Sequence, residues 1–211
     1  AINTSTGVVN DVSNALFSDT GTKIFGAIMS TSNEPKNVDV TYNPGSDEYF
    51  AVWEVSTPTY QNDIKGAALI PETGQLKASG ILPVTSEDND ECNPSVAVIG
   101  YSYGIVWQSW VDSHWDIQGV TSIFYLGNFF LLPISGLGNT TGNEISPKVA
   151  GKIGEWDFSI VYARPGAISD ELWAFHATEK ASSTFTIAKS PTSTTYQRFS
   201  SPDIAIGSSA T

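Results

Sequence analysis

The sequence predicts an all-β protein, a β-propeller of four blades with four antiparallel strands in each. Three observations predict it. The same landmarks return roughly every 53 residues through a chain of 211. Each interval holds four short segments of period-two alternation, separated by Gly, Asn, Asp and Pro. The composition is only 15% charged and rich in Ser, Thr, Gly and Asn. It serves turns and pleated surfaces better than helices, which draw on Ala, Leu, Glu and Lys. Four strands per unit at this period is the pattern of a propeller blade, whereas solenoids need shorter units or helices.

The first landmark opens each unit. "EPKNVDV", "NPSVAVIG", "SPKVAGKIG" and "SPDIAIG" align Val38, Val96, Val149 and Ile204, spaced 58, 53 and 55 residues apart. An aromatic residue then ends the next strand, at Trp53, Trp107 and Tyr162, spaced 54 and 55. An aspartate heads the third strand, at Asp11, Asp63, Asp116 and Asp170, spaced 52, 53 and 54. A fourth strand follows a Gly-marked turn in "TGTKIFGAIMS", "TGQLKASGILPV" and "LGNFFLLPI", and more loosely in "SSTFTIAKS". Blade one is therefore expected over 35–88, blade two over 93–140 and blade three over 146–199.

The fourth blade is divided between the ends of the chain. Residues 1–31 supply its late strands, while 201–209 supply only an inner strand. Joined, they make residues 1–211 a single domain and remove the exposed edges of a linear array. Two alternatives stay open. The chain is a piece of a longer propeller, or its last strand completes a blade in a neighbouring subunit.

The units resemble the degenerate propeller repeats of secreted bacterial and archaeal surface proteins, which read roughly N-P-x-V-A…Y-x-V-V-W…D-I-x-G. Asn93-Pro94-Ser95-Val96-Ala97, Tyr49-Phe50-Ala51-Val52-Trp53 and Asp63-Ile64-Lys65-Gly66 carry the resemblance. Blade three departs from it, with Tyr162 for Trp and Trp173 where Gly is expected. In blade number the chain is similar to hemopexin-like domains, without their repeat motif. The resemblance implies a fold and a secreted, extracellular or cell-surface setting, and no reaction.

A net charge of −12 with only ten Lys and Arg argues against nucleic acid as a partner, because a phosphate backbone is bound by cations. The single Cys92 rules out an internal disulfide and a Cys-based zinc site. The richest apolar stretch, "SIFYLGNFFLLPI" at 122–134, is too short for a membrane helix. Asn3 and Asn139 head N-glycosylation sequons.

Enzyme signatures are missing. His114 and His176 are the only histidines, and no G-x-S-x-G elbow, H-E-x-x-H or phosphate loop occurs. Paired carboxylates remain available among 22 acidic residues, as glycoside hydrolysis requires.

Binding candidates fall in three places. At the propeller axis, Asp39 aligns with Ala97, Ala150 and Ala205, and a carboxylate among converging carbonyls is an oxygen site for Ca²⁺. The loop "SEDNDE" offers Glu87, Asp88, Asp90 and Glu91 to the same cation. A solvated acidic loop is the default reading, since EF-hand spacing is absent. The repeated aspartates read as acceptors for turn N–H groups, an architectural role.

The most asymmetric stretch is "WQSWVDSHWD" at 107–116. Trp107 belongs to the core and Gln108 faces outward by alternation. Trp110, His114 and Trp115 fall in or near a hairpin, with Tyr60 and Trp173 in the corresponding loops of blades one and three. Exposed aromatics beside Asp, Gln and His stack on sugar rings while hydrogen-bonding their hydroxyls. Capping of the core between blades is the competing role for these rings.

The sequence thus reads as a non-catalytic extracellular binding or adhesion module, recognising a glycan or a partner protein through loops of one face. A subunit of a surface layer or filament, built from copies that exchange the C-terminal strand, is the alternative. A polysaccharide-active hydrolase using paired carboxylates is the second.

Overall fold

The computed structural model describes residues 12–17, 23–30, 36–56, 61–86, 89–125, 128–138, 140–166, 170–178, 181–189 and 202–205. These hold fourteen β-strands and no helix. The all-β expectation holds. The chain divides into two compact units, Ala1–Pro94 and Ser95–Thr211.

In the first unit, β1 (Val12–Phe17) and β2 (Lys23–Ser30) form an antiparallel hairpin. A separate sheet runs in the order β3 (Lys36–Asn43), β4 (Glu48–Ser56), β5 (Asn62–Leu69) and β6 (Leu76–Pro83), each strand antiparallel to the next. Turn chemistry sets the β3–β4 corner. Asn43 Oδ1 accepts the Gly45 N–H at 2.9 Å, and Asp47 takes a left-handed φ of 46°, both habits of Asx residues in turns. Ala51, Trp53, Val55, Ala67 and Leu69 pack together on one face. Phe50, Val52 and Glu54 on the other face of β4 are buried too, as in an interior strand covered on both sides.

The second unit carries two more four-stranded antiparallel sheets. One comprises β7 (Glu91–Ile99), which begins just before the unit boundary, then β8 (Ser102–Val111), β9 (His114–Tyr125) and β10 (Asn128–Pro133). The other comprises β11 (Ile145–Gly151), β12 (Asp157–Arg164), β13 (Glu171–Thr178) and β14 (Ser182–Lys189). Ala97, Ile99, Val106, Ile117, Val149, Phe158, Ile160, Tyr162 and Phe175 bury one another as a shared core. The two sheets meet beyond the ends of their first strands, where Gly100 and Ile153 form a parallel bridge. Gly100 donates to Lys152 O at 2.9 Å and accepts from Gly154 N at 2.8 Å. The approach is so close that a Cβ on Gly151 would lie 2.1 Å from Val98 O.

The landmark strands carry a correction. β3 and β11 are bulged at the same place, between Lys36 and Asp39 and between Ile145 and Lys148. Asn37, Asn93 and Ser146 all have φ near +50° (49°, 52° and 55°), the left-handed bend that lets a bulge form. Aligning these three residues makes Val40, not Val38, the equivalent of Val96 and Val149. The match is one of register and not of burial, since Val40 is 54% exposed where Val96 and Val149 are 5% and 7%. Asp39 therefore matches Ser95 and Lys148, and Thr41 matches the alanines.

Gln108 carries a second correction. It is only 4% exposed, because β8 is covered on both faces and simple alternation fails there. Finally, 202–205 form no ladder with any strand, although the expected inner strand runs through them. The rest of 201–209 lies outside the described residues.

Candidate functional site: the β8–β9 hairpin

The β8–β9 connection is a two-residue turn. Asp112 and Ser113 both have positive φ, 48° and 71°, the type I′ geometry whose twist matches that of paired strands. Val111 then faces His114, Trp110 faces Trp115 and Ser109 faces Asp116. The Trp110 and Trp115 rings meet edge to face, centroids 5.1 Å apart at 70°, and Trp110 stays 42% exposed. On the opposite face of the hairpin, His114 Nε2 lies 3.1 Å from Asp116 Oδ1.

A neighbouring loop braces this hairpin. Asn143 Oδ1 accepts the Trp115 N–H at 2.9 Å, and Glu144 N–H donates to Trp115 O at 2.7 Å. The Glu144 side chain is fully buried. Its Oε1 accepts from Thr140 Oγ1 at 3.0 Å, while Oε2 has no partner among the described residues. Burial pushes the Glu144 carboxyl above the usual carboxylate range, with Asp116 adding to the rise and Thr140, Ile117 N–H and Arg164 opposing it. Burial likewise raises Asp116, which His114 partly counters. Burial also raises the Tyr162 phenol, with the Glu144 charge a lesser cause.

Two repeated polar roles are invisible to strand patterning. Glu54 and Gln108 each follow a landmark aromatic and are buried. Glu54 Oε2 accepts the Asn93 N–H at 3.3 Å, and Gln108 Oε1 accepts the Ser146 N–H at 2.8 Å. Each side chain thus satisfies the amide of the left-handed residue in the following first strand. Glu91 and Glu144, two residues before those bulges, are both buried and both accept a threonine hydroxyl, from Thr85 at 3.1 Å and Thr140 at 3.0 Å. The recurring spacing of Glu, bulge and Val was the available signal.

The remaining candidates are scattered. Glu91 has this architectural role, and Asp90 Oδ1 accepts both the backbone and side-chain N–H of Asn62 at 2.9 Å. Glu87 and Asp88 of the same loop lie outside the described residues, as do Tyr60, Asn3, Asn139 and Asp11. Asp39 Oδ1 accepts the N–H of its own neighbour Val40 at 3.0 Å. No three His, Cys, Asp or Glu among the described residues are grouped to hold a metal. Trp173 sits within β13 rather than in a loop. Its Nε1 donates to Glu171 Oε2 at 2.7 Å, and the Arg164 guanidinium lies 5.3 Å from its ring centroid.

Of the repeated aspartates, Asp170 accepts a turn N–H, from Gly166 at 3.2 Å. Asp63 instead approaches Lys65 at 3.5 Å and Asp116 approaches His114. His176 is hydrogen-bonded to Ser159 Oγ at 2.9 Å, but Asp157 stands 3.8 Å away. That distance is beyond hydrogen-bond reach, so the base lacks the orienting partner of a Ser-His-Asp triad.

No protein-family model matches this chain, and no curated protein matches it. Among solved structures the chain is similar to Trypanosoma rangeli sialidase in complex with 2,3-difluorosialic acid, a covalent intermediate. The identity is 10% and the TM-score 0.48, over 83% of this chain and 33% of that one. A second structure, Trypanosoma rangeli sialidase in complex with sialic acid, gives 9% identity and a TM-score of 0.45 over 84% and 33%. The chain spans about a third of the length of these structures.

Proposed function

We propose that this chain is a four-bladed propeller, blade four drawing on both chain ends, that binds glycans from an extracellular or cell-surface position without turning them over. One observation carries the reading: Trp110 presents a half-exposed indole at the tip of a braced type I′ hairpin. An aromatic face held rigid loses little entropy on stacking against a sugar ring. Asn143, bound to the Trp115 amide beside it, is the polar side chain at hand to meet hydroxyls.

The test is tryptophan fluorescence titration with a panel of neutral and acidic oligosaccharides, on the intact chain and on Trp110→Ala. Saturable binding that weakens at least tenfold in the variant is the expected result. If no oligosaccharide on the panel binds, or the variant binds equally well, the reading fails.

A second reading, assembly with copies of itself through the C-terminal strand, draws on a different observation. Val40, Tyr42, Tyr49 and Ile81 share one face of the first-unit sheet and are 54, 43, 41 and 44% exposed. An apolar face of this kind favours a protein partner over water. Light scattering on the intact chain and on one lacking 201–211 separates the cases. Polymers that vanish on truncation support assembly, and an intact monomer rejects it.

A further inference from the structure

A cavity of about 390 Å³ opens in the second unit, in the cleft between its two sheets. Strand β9, the end of β10 and the segment after it form one side, through Thr121, Pro133 and Ser135, and β12, β13 and the start of β14 form the other. Its volume falls within the roughly 300–1,000 Å³ of small-molecule sites. Phe158 and Phe175 are fully buried, with centroids 6.0 Å apart. Trp156 is 37% exposed and stands nearly perpendicular to Phe158, at 79° and 4.9 Å. The three rings give the cavity an apolar floor and one upright wall that reaches solvent.

The described lining offers hydroxyls from Thr121, Ser135, Thr178 and Ser182, and the indole N–H of Trp156. Thr178 Oγ1 donates to Ala181 O at 3.4 Å. Among the described residues no lining side chain is charged. A charged ligand would be desolvated there without a counter-charge, which disfavours it strongly. An aromatic wall with a neutral hydroxyl rim instead matches a pyranose, whose ring carbons present an apolar face and whose edge carries hydroxyls.

We infer that this cavity is a second binding site, independent of the β8–β9 hairpin, that holds a single neutral pyranose stacked on Trp156. The site is set by residues that sequence patterning assigns to ordinary core, so no motif announces it. Phe158 and Phe175 belong to the shared core, and Ala177 and Ala181 leave the volume by being small.

The experiment titrates the intact chain with methyl β-glucoside, methyl β-galactoside, methyl α-mannoside, N-acetylglucosamine and sialic acid, read by NMR of the indole N–H signals. At least one neutral sugar is expected to saturate at millimolar concentration and shift the Trp156 signal, while sialic acid does not. Trp156→Ala is expected to weaken that binding at least tenfold, and Trp110→Ala to leave it unchanged. Because Trp156→Ala also removes a contact to Phe158, Ser135→Trp provides the second variant. It fills the cavity from an exposed position and must abolish binding with Phe158 intact. No neutral sugar binding, an unmoved Trp156 signal, or sensitivity to Trp110→Ala alone overturns the proposal. The last outcome would place the sugar at the hairpin instead.

Discussion

Trp110 and Trp115 face each other across the two-residue turn of the β8–β9 hairpin, and Trp110 is the more exposed of the two, at 42%. Three positions earlier in the same strand, Trp107 is 5% exposed. The two neighbours have different work, and their removal separates it. Trp110→Ala forfeits an edge-to-face pair worth about 0.5–1.5 kcal/mol. Trp107→Ala opens a core cavity at about 3–5 kcal/mol. Urea unfolding of both variants checks the contrast, and equal losses would make Trp110 a core residue.

The turn itself is strained. Ser113 holds a φ of 71°, a region glycine enters freely and other residues enter at a cost. Ser113→Gly is expected to stabilise the protein by about 0.5 kcal/mol, after allowing for the added freedom of the unfolded chain. A rise in urea midpoint with an unchanged slope is the readout. A fall in midpoint would mean that the serine hydroxyl supports the turn.

Glu144 makes stability depend on pH. Its folded carboxyl is raised above the ordinary value of 4.5, so over the interval above 4.5 the folded state holds a proton that the unfolded state has released. Stability is therefore fullest below about pH 4.5 and is lost as pH rises through the folded value. Asp116, raised above 3.8, acts in the same direction and keeps its share when Glu144 is replaced. Glu144→Gln should flatten the decline between pH 4.5 and neutrality, seen in urea midpoints at several pH values. An unchanged profile would assign the decline to other groups.

Cys92 should be inert while the protein is folded. Burial pushes its thiol up to about 12 from 9.0, with the charges of Glu54, Asp90 and Glu91 adding to the effect. Its thiolate fraction at pH 8 is then about a thousandfold below that of an unperturbed thiol, and the thiolate is the reactive form. Reaction with a disulfide reagent at pH 8 is expected to await unfolding. Prompt native-state labelling would contradict the burial.

The strands were legible because their signal is local. Three of the four intervals hold a four-stranded antiparallel sheet, while in the fourth the β1–β2 hairpin is what the described residues show. Trp53, Trp107 and Tyr162 lie in the core at 0, 5 and 2% exposure. The register of the first landmark was not legible, since a bulge adds a residue that period-two counting cannot see. Asn37 and Ser146 mark those bulges by conformation, which no side chain announces uniquely. Gln108 was misread for a related reason. Alternation predicts one wet face, and an interior strand has none. The β8–β9 turn falls in the stretch where the repeat sets a strand connection, with Trp110 and Trp115 on either side of it. The loop around Asn143 that braces them comes from 28 residues further on, a distance over which sequence patterning carries no contact information.

Gly151 occupies the place that Val98 and Tyr42 hold in the other first strands, once the bulges are superposed. Only the bare Cα there lets the backbone of Val98 come alongside. Neither valine nor tyrosine would fit against that carbonyl. The units began as copies, to judge from their shared landmarks, yet β11 now has a designated neighbour. Exchanging the order of the units, or duplicating one in place, would bring a side chain to this contact. The repeats are no longer interchangeable modules. They are distinct parts that assemble in one sequence only.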